Sequence, residues 1–181
     1  MIKLHLGCGK RDFGSEWIHI DGGDFPHLVS HDITKLTFKD REVDLIYSSH
    51  TLEYFSREEV INVLGEWKRV LKTGGILRLA VPDFAAIANL YLNSKSYELD
   101  SFLGPLYGKI EMGNSIIYHK TVYDFISLKK VLENVGFTEV SRYNWKETDH
   151  NAFDDFSQAY LPHMDKDNGT LISLNVECVK I

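Results

Sequence analysis

Cysteine is scarce in this chain of 181 residues, with only Cys8 and Cys178 near its two ends. Their spacing fits neither a disulfide framework nor a metal site, although two strand ends could bring the thiols together in space. A reducing, cytoplasmic setting is therefore predicted. Proline is also scarce, at four residues, and 44% of the residues are hydrophobic. This composition is typical of a globular chain and excludes a disordered one.

Long apolar runs and an excess of positive charge are missing too. No run is long enough to span a membrane, and the first residues enter a short apolar segment without the hydrophobic region of a signal peptide. The formal net charge of −6 argues against a broad nucleic-acid surface and leaves only a local basic groove open. The length suits one domain, which would bury roughly 70% of its unfolded surface.

Short apolar segments alternate with segments of helical periodicity. Ser56 and Glu59 have the spacing of a capping box, and Gly74 and Gly136 follow helical segments. The alternation predicts an α/β sheet whose strands are mostly parallel. Strands are predicted at residues 2–6, 17–21, 28–31, 43–48, 76–81, 137–143 and 171–181, and helices at residues 57–71, 83–92 and 127–135.

Two early connections are unusually short. Residues 10–16 and 22–27 separate predicted strands, whereas parallel neighbours need a crossover of about a dozen residues. Either the connecting helices are reduced to turns, or the first strands pair differently.

A glycine turn and an acidic strand end are the most informative local features. Gly7 and Gly9 follow the first strand, where the lack of a Cβ lets backbone N–H groups approach a ligand. Asp21 ends the second strand and offers two oxygens to a ribose diol. Together they indicate a nucleoside-bearing cofactor, while ordinary turn roles for all three residues stay open.

Residues 2–84 resemble the class I S-adenosylmethionine-dependent methyltransferases, especially the small members of the type 11 group, with weaker similarity at residues 118–143. The landmarks occur in the family's order: LHLGCG at 4–9, IHID at 18–21, HDI at 31–33, VDLIYSSHTLE at 43–53 and EWKRVLKTGGIL at 66–77. Two positions depart from the family. His5 stands where an acidic residue is usual, and Arg11 stands where a third glycine is common. Because of these departures, the resemblance does not determine how the methionine amino group is bound, or how tightly.

The resemblance implies a Rossmann-like class I methyltransferase sheet, mostly parallel with an antiparallel last strand and with reduced helices after the first two strands. Residues 1–181 would form one methyltransferase domain, its cofactor half at about 1–84 and its substrate-side half at about 85–181. The implied cofactor is S-adenosyl-L-methionine, and the product is S-adenosyl-L-homocysteine. The implied cofactor-binding residues are Leu6, Gly7, Cys8, Gly9, Asp21, Gly22, Asp32, Ile33, Ser48, Ser49 and His50. For Asp32 an Asx-turn is an equal alternative.

His50 and His119 are the candidate catalytic bases, since imidazole titrates near neutral pH. His50 could instead pack against the cofactor or cap the next turn. Asp124 could either orient His119 or cap a helix. Glu53 is interpreted as a capping residue or a substrate ligand. The irregular stretches 104–113 and 147–167 are candidate specificity loops. No spacing in the second stretch resembles a metal site, so no metal is expected; Phe153, Phe156 and Tyr160 could form a lid or a subunit contact there.

Methyl transfer to a small-molecule acceptor, a hydroxyl of a sugar or other metabolite, is the favoured function. A nicotinamide-dependent oxidoreductase is disfavoured because Asp12 occupies the third glycine position of its motif. An aminopropyl transferase would need a longer chain. A non-catalytic module that binds the cofactor, or a partner subunit, is the main alternative. Neither a nucleic acid nor a membrane is expected as a partner, and the oligomeric state is left open, with a homodimer allowed.

Overall fold

The computed structural model describes residues 1–112 and 115–181. Four helices are present in this described part: α1 (Glu59–Val70), α2 (Phe84–Asn93), α3 (Asp100–Tyr107) and α4 (Phe125–Val135). The strands are β1 (Lys3–Leu6), β2 (Trp17–Ile20), β3 (Leu28–Ser30), β4 (Val43–Ser49), β5 (Leu71–Pro82), β6 (Ile110–Met112), β7 (Ser115–Ile117), β8 (Phe137–Arg142), β9 (Tyr160–Leu161), β10 (Thr170–Leu171) and β11 (Ser173–Lys180).

The main sheet has seven strands in the order β3-β2-β1-β4-β5-β11-β8. The neighbours from β3 to β5 pair in parallel, and β11 runs antiparallel to both β5 and β8. The predicted sheet, mostly parallel with an antiparallel last strand, is therefore confirmed. Because β1, β2 and β4 are parallel neighbours, their carboxyl ends meet at one edge of the sheet.

One face of the sheet is covered by helices. Side chains alternate between faces along a strand, and Leu4 and Leu6 of β1 lie in the same apolar cluster as Trp67 of α1 and Leu132 of α4. All four side chains are fully buried. This face holds the main hydrophobic core, in which α1 and α4 pack against the sheet.

The opposite face is covered by aromatic and histidine side chains instead of a helix. The His5 ring lies 4.1 Å from that of Phe13 and 5.3 Å from that of Tyr47, and Phe13 stacks on Phe153 at 4.4 Å. We call this group the histidine–aromatic cluster; its members are His5, Phe13, Trp17, His19, Tyr47, His150 and Phe153.

Every residue between β1 and β3 is described, and no helix occurs among them. The first three strands nevertheless pair in parallel, with Leu4 opposite Ile18 and His19 opposite Leu28. The short connections are therefore reduced helices, not a different strand pairing. Residues 145–158 cover the face of the sheet opposite α1 and α4, and they supply His150 and Phe153 to the histidine–aromatic cluster.

The helix boundaries differ from the predictions by a few residues. The α1 helix begins at Glu59, and the expected capping box is present, since the Glu59 N–H donates to Ser56 Oγ at 3.2 Å and the Ser56 N–H to Glu59 Oε2 at 2.7 Å. The β5 strand begins at Leu71, so the predicted glycine turn forms an irregularity inside it. Within the described chain, no helix is long and apolar enough to cross a membrane.

The sequence reading missed structure in both stretches that it took as irregular. Helix α3 and the antiparallel pair β6–β7 occupy most of residues 100–117, although Gly113 of the first stretch lies outside the described residues. The second stretch begins at the end of a 3-10 turn, Trp145–Glu147, and contains another at Phe156–Gln158 together with β9, which pairs with β10.

Candidate active site

A cavity of about 750 Å³ opens at the carboxyl edge of β1, β2 and β4. This volume lies within the range of roughly 300–1,000 Å³ that is usual for small-molecule sites. Most of the predicted site residues line it: Gly7, Cys8, Gly9, Asp21, Gly22, Asp32, Ile33, Ser49, His50 and His119.

Leu6 and Ser48 do not line the cavity. The two residues are register partners on β1 and β4, and both are buried. Their neighbours Gly7 and Ser49 line the cavity. Since successive residues of a strand face opposite sides of the sheet, the side chains of Leu6 and Ser48 fall on the α1 face.

The glycine turn has the backbone conformation that the sequence suggested. Gly7 and Gly9 have φ angles of +69° and +56°, and the Gly7 N–H donates to the Ile20 carbonyl at 2.8 Å. A Cβ on Gly7 would overlap Thr51 Oγ1, whereas a Cβ on Gly9 would meet nothing within 4 Å. Gly7 is thus required by packing, and Gly9 leaves open space beside the cavity.

Asp21 holds the glycine turn with its side chain. Its Oδ2 accepts the N–H of Gly9 at 2.8 Å, and its Oδ1 accepts the N–H of Gly23 at 2.7 Å. An ionised carboxylate has about four acceptor sites, so each oxygen keeps a lone pair for a ribose hydroxyl. The carboxylate is 8% exposed and lines the cavity. A turn role and a ligand role are therefore compatible at this residue.

Asp32 forms the Asx-turn that is the structural alternative to a role in cofactor binding. Its Oδ1 accepts the Thr34 N–H at 2.8 Å and the Thr34 hydroxyl at 2.6 Å. These hydrogen bonds lower the pKa of the Asp32 carboxyl. The neighbouring Ile33 carbonyl accepts the indole N–H of Trp67 at 2.7 Å, which fixes this part of the cavity wall to α1.

His50 lies where β4 ends, with a φ of +51° and its N–H bonded to the Ala80 carbonyl at 2.8 Å. Burial, with smaller contributions from His119 and Arg11, lowers the pKa of His50 to about 3. Burial also lowers the pKa of His119. Both imidazoles are therefore neutral at neutral pH and retain a lone pair that can take up a proton.

The capping role that was one of the two interpretations of Glu53 is wrong. The Glu53 side chain makes no helix cap, because Ser56 and Glu59 form the capping box of α1. It is fully buried, with Oε1 3.7 Å from His50 Nδ1 and 3.6 Å from His119 Nε2. The spacing of Glu53 three residues after His50, at a strand end, was the signal that could have linked them.

The two departures from the family pattern lie in different places. His5 is buried in the histidine–aromatic cluster, away from the cavity, and burial holds its pKa well below the usual value. Arg11 lines the cavity, donates to the Asp154 carbonyl at 2.9 Å and lies 4.6 Å over the Phe156 ring. The thiol of Cys8 has its pKa raised to about 12 by burial, so it is not a nucleophile at neutral pH.

The remaining candidates take mostly structural roles. Asp124 caps α4 by accepting the Ser127 N–H at 2.8 Å, so it does not orient His119. Phe153 packs in the histidine–aromatic cluster, whereas Phe156 lines the cavity 5.2 Å from the His50 ring. Both Cys8 and Cys178 are free thiols. Among residues 1–112 and 115–181, no three His, Cys, Asp or Glu side chains are grouped to hold a metal ion.

Known structures share this fold over almost the entire chain. An S-adenosylmethionine-dependent methyltransferase from Mesorhizobium loti is 17% identical, with a TM-score of 0.60, and the alignment covers 98% of this chain and 90% of that one. One from Archaeoglobus fulgidus is 15% identical, with a TM-score of 0.60 and coverage of 98% and 85%. A complex of the Trm112 methyltransferase activator of Haloferax volcanii with a methyltransferase matches at 18% identity and a TM-score of 0.56, with coverage of 99% and 82%.

The sequence comparisons give a shorter match. The family described as Methyltransferase domain matches residues 10–79, which run from the end of the glycine turn to β5. No curated protein matches the chain. The match over residues 10–79 and the shared fold confirm the resemblance predicted from the sequence: this segment is similar to the methyltransferase domain family, and the chain has the fold of S-adenosylmethionine-dependent methyltransferases.

Proposed function

We propose that this protein transfers the methyl group of S-adenosylmethionine to a hydroxyl of a small-molecule acceptor, such as a sugar or another metabolite. One observation carries the proposal. A single cavity joins the Gly7–Gly9 turn and Asp21 at one end to His50 and His119 at the other. The first group suits a nucleoside-bearing cofactor, and the second suits an acceptor that must lose a proton.

The residues at the cofactor end fit the group they would hold. Asp21 keeps lone pairs for the ribose hydroxyls after bonding Gly9 and Gly23. The open space beside Gly9 admits a ligand to the backbone. Asp32 and Ile33 would lie along the adenine, and Ser49 and His50 along the methionine half. When bound, S-adenosylmethionine supplies a methyl group that its sulfonium already activates.

The protein then has two tasks at the acceptor end. It aligns the attacking atom with the methyl carbon, a form of positioning that can lower a barrier by roughly 7–11 kcal/mol. It also takes the proton from a hydroxyl acceptor, for which His50 and His119 are suited because they are neutral. A neutral amine or a thiolate would not need a base, so two histidines at this end favour an oxygen acceptor.

Several further features belong to the same proposal. Residues 1–181 act as one methyltransferase domain, with the acceptor side supplied mainly after residue 84 by segments such as 116–120 and Phe156. The setting is cytoplasmic, in keeping with two free thiols. A homodimer is one candidate assembly. A protein partner is another, which the neighbour solved with the Trm112 activator supports. Gel filtration with light scattering on the purified protein tests for a homodimer. The same measurement on material pulled down from the native host tests for a protein partner.

The activity test has two stages. Calorimetric titration with S-adenosylmethionine and S-adenosylhomocysteine should first give micromolar affinities, whereas no binding at millimolar concentration would favour a partner subunit. An acceptor screen with labelled S-adenosylmethionine follows, comparing hydroxyl compounds with amines. The variants His50→Ala and His119→Ala should lower turnover on a hydroxyl acceptor by roughly 10²–10⁴, and His119→Ala should retain cofactor affinity. Survival of activity in both variants would refute the base role.

A further inference from the structure

A buried carboxyl group lies behind the two cavity histidines. Glu53 is fully buried, and neither of its carboxyl oxygens has a hydrogen-bond partner among the described residues. Its Oε1 is 3.7 Å from His50 Nδ1 and 3.6 Å from His119 Nε2. An isolated buried carboxylate is costly, and such a group either finds a partner or stays protonated.

The hydrogen bonds of His50 determine which of its nitrogens carries the hydrogen. Asn175 Nδ2 donates to the Ser157 carbonyl at 2.9 Å, so Asn175 Oδ1 accepts the Ser173 hydroxyl at 2.9 Å. Since Ser173 has given its only hydrogen to Asn175, its oxygen must accept from His50 Nε2, which is 3.1 Å away. Neutral His50 therefore has its lone pair on Nδ1, the nitrogen that faces Glu53.

His119 is fixed in the same way. Its Nδ1 lies 3.1 Å from the carbonyl oxygen of Pro105, which can only accept, so Nδ1 carries the hydrogen. The lone pair of neutral His119 is then on Nε2, which also faces Glu53 Oε1. Two nitrogen lone pairs and one carboxyl oxygen thus converge, an arrangement that repels unless a hydrogen lies among them.

We propose that Glu53 is a positioning residue that holds one resting proton between His50 and His119 and becomes their shared counter-ion when the site takes up the proton of the acceptor. The counter-ion role of Glu53 rests on the proposed function, because it requires the site to take up a proton from the acceptor. The resting proton follows from the buried geometry itself.

The charges balance through the reaction. The O–H bond of the acceptor breaks as its oxygen bonds to the methyl carbon, and the broken S–C bond leaves its electron pair on sulfur. The acceptor's proton goes to one imidazole, at His50 Nδ1 or His119 Nε2. The proton of Glu53 moves to the other imidazole, which leaves a carboxylate between two imidazolium groups. The cluster thereby carries the positive charge that the sulfonium loses, while Ser173 and Pro105 keep accepting the outer N–H groups.

Among the described groups around Glu53, only the two histidines face its carboxyl group as acceptors of its proton. Tyr54 donates its hydroxyl to the Gly108 carbonyl at 2.5 Å. The Tyr123 ring lies under the guanidinium of Arg57 at 4.1 Å, and its buried hydroxyl makes no hydrogen bond with Glu53 or with any other described residue. Arg57 is in turn committed to Thr121 Oγ1 at 2.7 Å and to the Val122 carbonyl. Burial raises the pKa of Glu53 to about 8 and lowers that of His50, to which Arg11 makes a small contribution. These shifts agree with the resting state that the geometry indicates.

The test is an NMR titration of the full chain, which needs no acceptor. Imidazole ¹⁵N shifts should show His50 protonated on Nε2 and His119 on Nδ1 at pH 7. The carboxyl ¹³C signal of Glu53 should move with a midpoint of about pH 8. The variant Glu53→Gln should lose that transition and shift both histidine titrations, whereas the exposed matched control Glu58→Gln should retain all three.

A Glu53 carboxyl that titrates in the ordinary range near pH 4.5 would overturn the proposal, as would the opposite tautomer at either histidine. A change of both imidazole signals on adding Mg²⁺, reversed by a chelator, would also overturn it, because a cation and not a proton would then hold the cluster. The wild-type titration decides the matter even if Glu53→Gln does not fold. Failure of every hydroxyl acceptor in the screen would refute the proposed function and leave this titration unchanged.

Discussion

Replacing Asp21 with asparagine tests whether this carboxylate holds both the glycine turn and the ribose. The two carboxyl oxygens accept N–H groups from Gly9 and Gly23 at 2.8 and 2.7 Å. An asparagine side chain has one acceptor oxygen, so one of these N–H groups would face an NH₂ group in a site that is only 8% exposed. The change therefore removes a charge and leaves a nearly buried donor unpaired.

The expected magnitudes follow from those contacts. A hydrogen bond to a charged group contributes roughly 1.5–3 kcal/mol. The cofactor-free protein should lose about that much stability, and each kcal/mol lowers the Tm by roughly 2–4 °C in a chain of this size. Loss of a charged bond to the ribose should further weaken cofactor affinity by roughly 10- to 100-fold.

Two measurements separate these effects. Urea unfolding of the cofactor-free protein measures the stability that the turn contributes. Calorimetric titration with S-adenosylhomocysteine measures the affinity for the cofactor product. Asp167→Asn, at an exposed position, is the matched control and should change neither. Reduced stability with unchanged affinity would remove Asp21 from the ribose role. Unchanged stability would refute the account of the turn itself.

Two further predictions follow from the same structure. Gly7→Ala should lower the free energy of unfolding by more than about 1 kcal/mol, because the added Cβ would overlap Thr51 Oγ1. Gly9→Ala should mainly weaken cofactor binding. Equal losses of unfolding free energy in urea for the two variants would contradict this contrast. Burial lowers the pKa of His5 and lowers that of His150 to about 4. Below pH 6.5 the unfolded state therefore binds protons at these histidines that the folded state does not bind. Stability should be complete above pH 6.5, the ordinary value, and fall between pH 6.5 and 4. In urea titrations at each pH, His150→Phe should flatten that fall, and an unchanged slope would refute the assignment.

Much of the fold could be predicted because the sheet leaves a direct pattern in the sequence. The apolar runs of β1, β2 and β4, each followed by glycine or polar residues, indicated both the strands and the edge at which their ends meet. The shared edge predicts that Gly7, Asp21 and His50 lie close together, and all three line one cavity. Local patterns are sufficient when a strand and the turn after it carry the chemistry.

The acceptor side could not be predicted in the same way. Gly104 and Pro105 read as loop residues, yet α3 includes both because Phe102 is buried against the rest of the protein. The Pro105 carbonyl then fixes the tautomer of His119, fourteen residues later. A contact of this kind depends on tertiary packing, which overrides local propensity, and it has no signature in spacing.

Glu53 shows a different limit. Its position three residues after His50 is visible in the sequence, but the same spacing suits a residue near a helix start. The spacing of Ser56 and Glu59 already predicted the capping box, and the structure adds that Glu53 turns inward between two histidines. Capping residues can be assigned from residue type and spacing, whereas the burial of a particular carboxyl group depends on tertiary packing.

The shortened connections explain how the two ends of the cavity are joined. Without a helix after β1, the sheet face over Tyr47 has to be covered from elsewhere, and the segment at residues 149–156 does so. Asp155 accepts the Tyr47 hydroxyl at 2.5 Å, and Arg11 of the glycine-turn connection donates to the Asp154 carbonyl at 2.9 Å. The next residue, Phe156, lies under Arg11 and beside His50. One segment therefore packs against both the glycine-turn connection and His50, and we expect a change in the loop after β1 to affect His50 through Phe156.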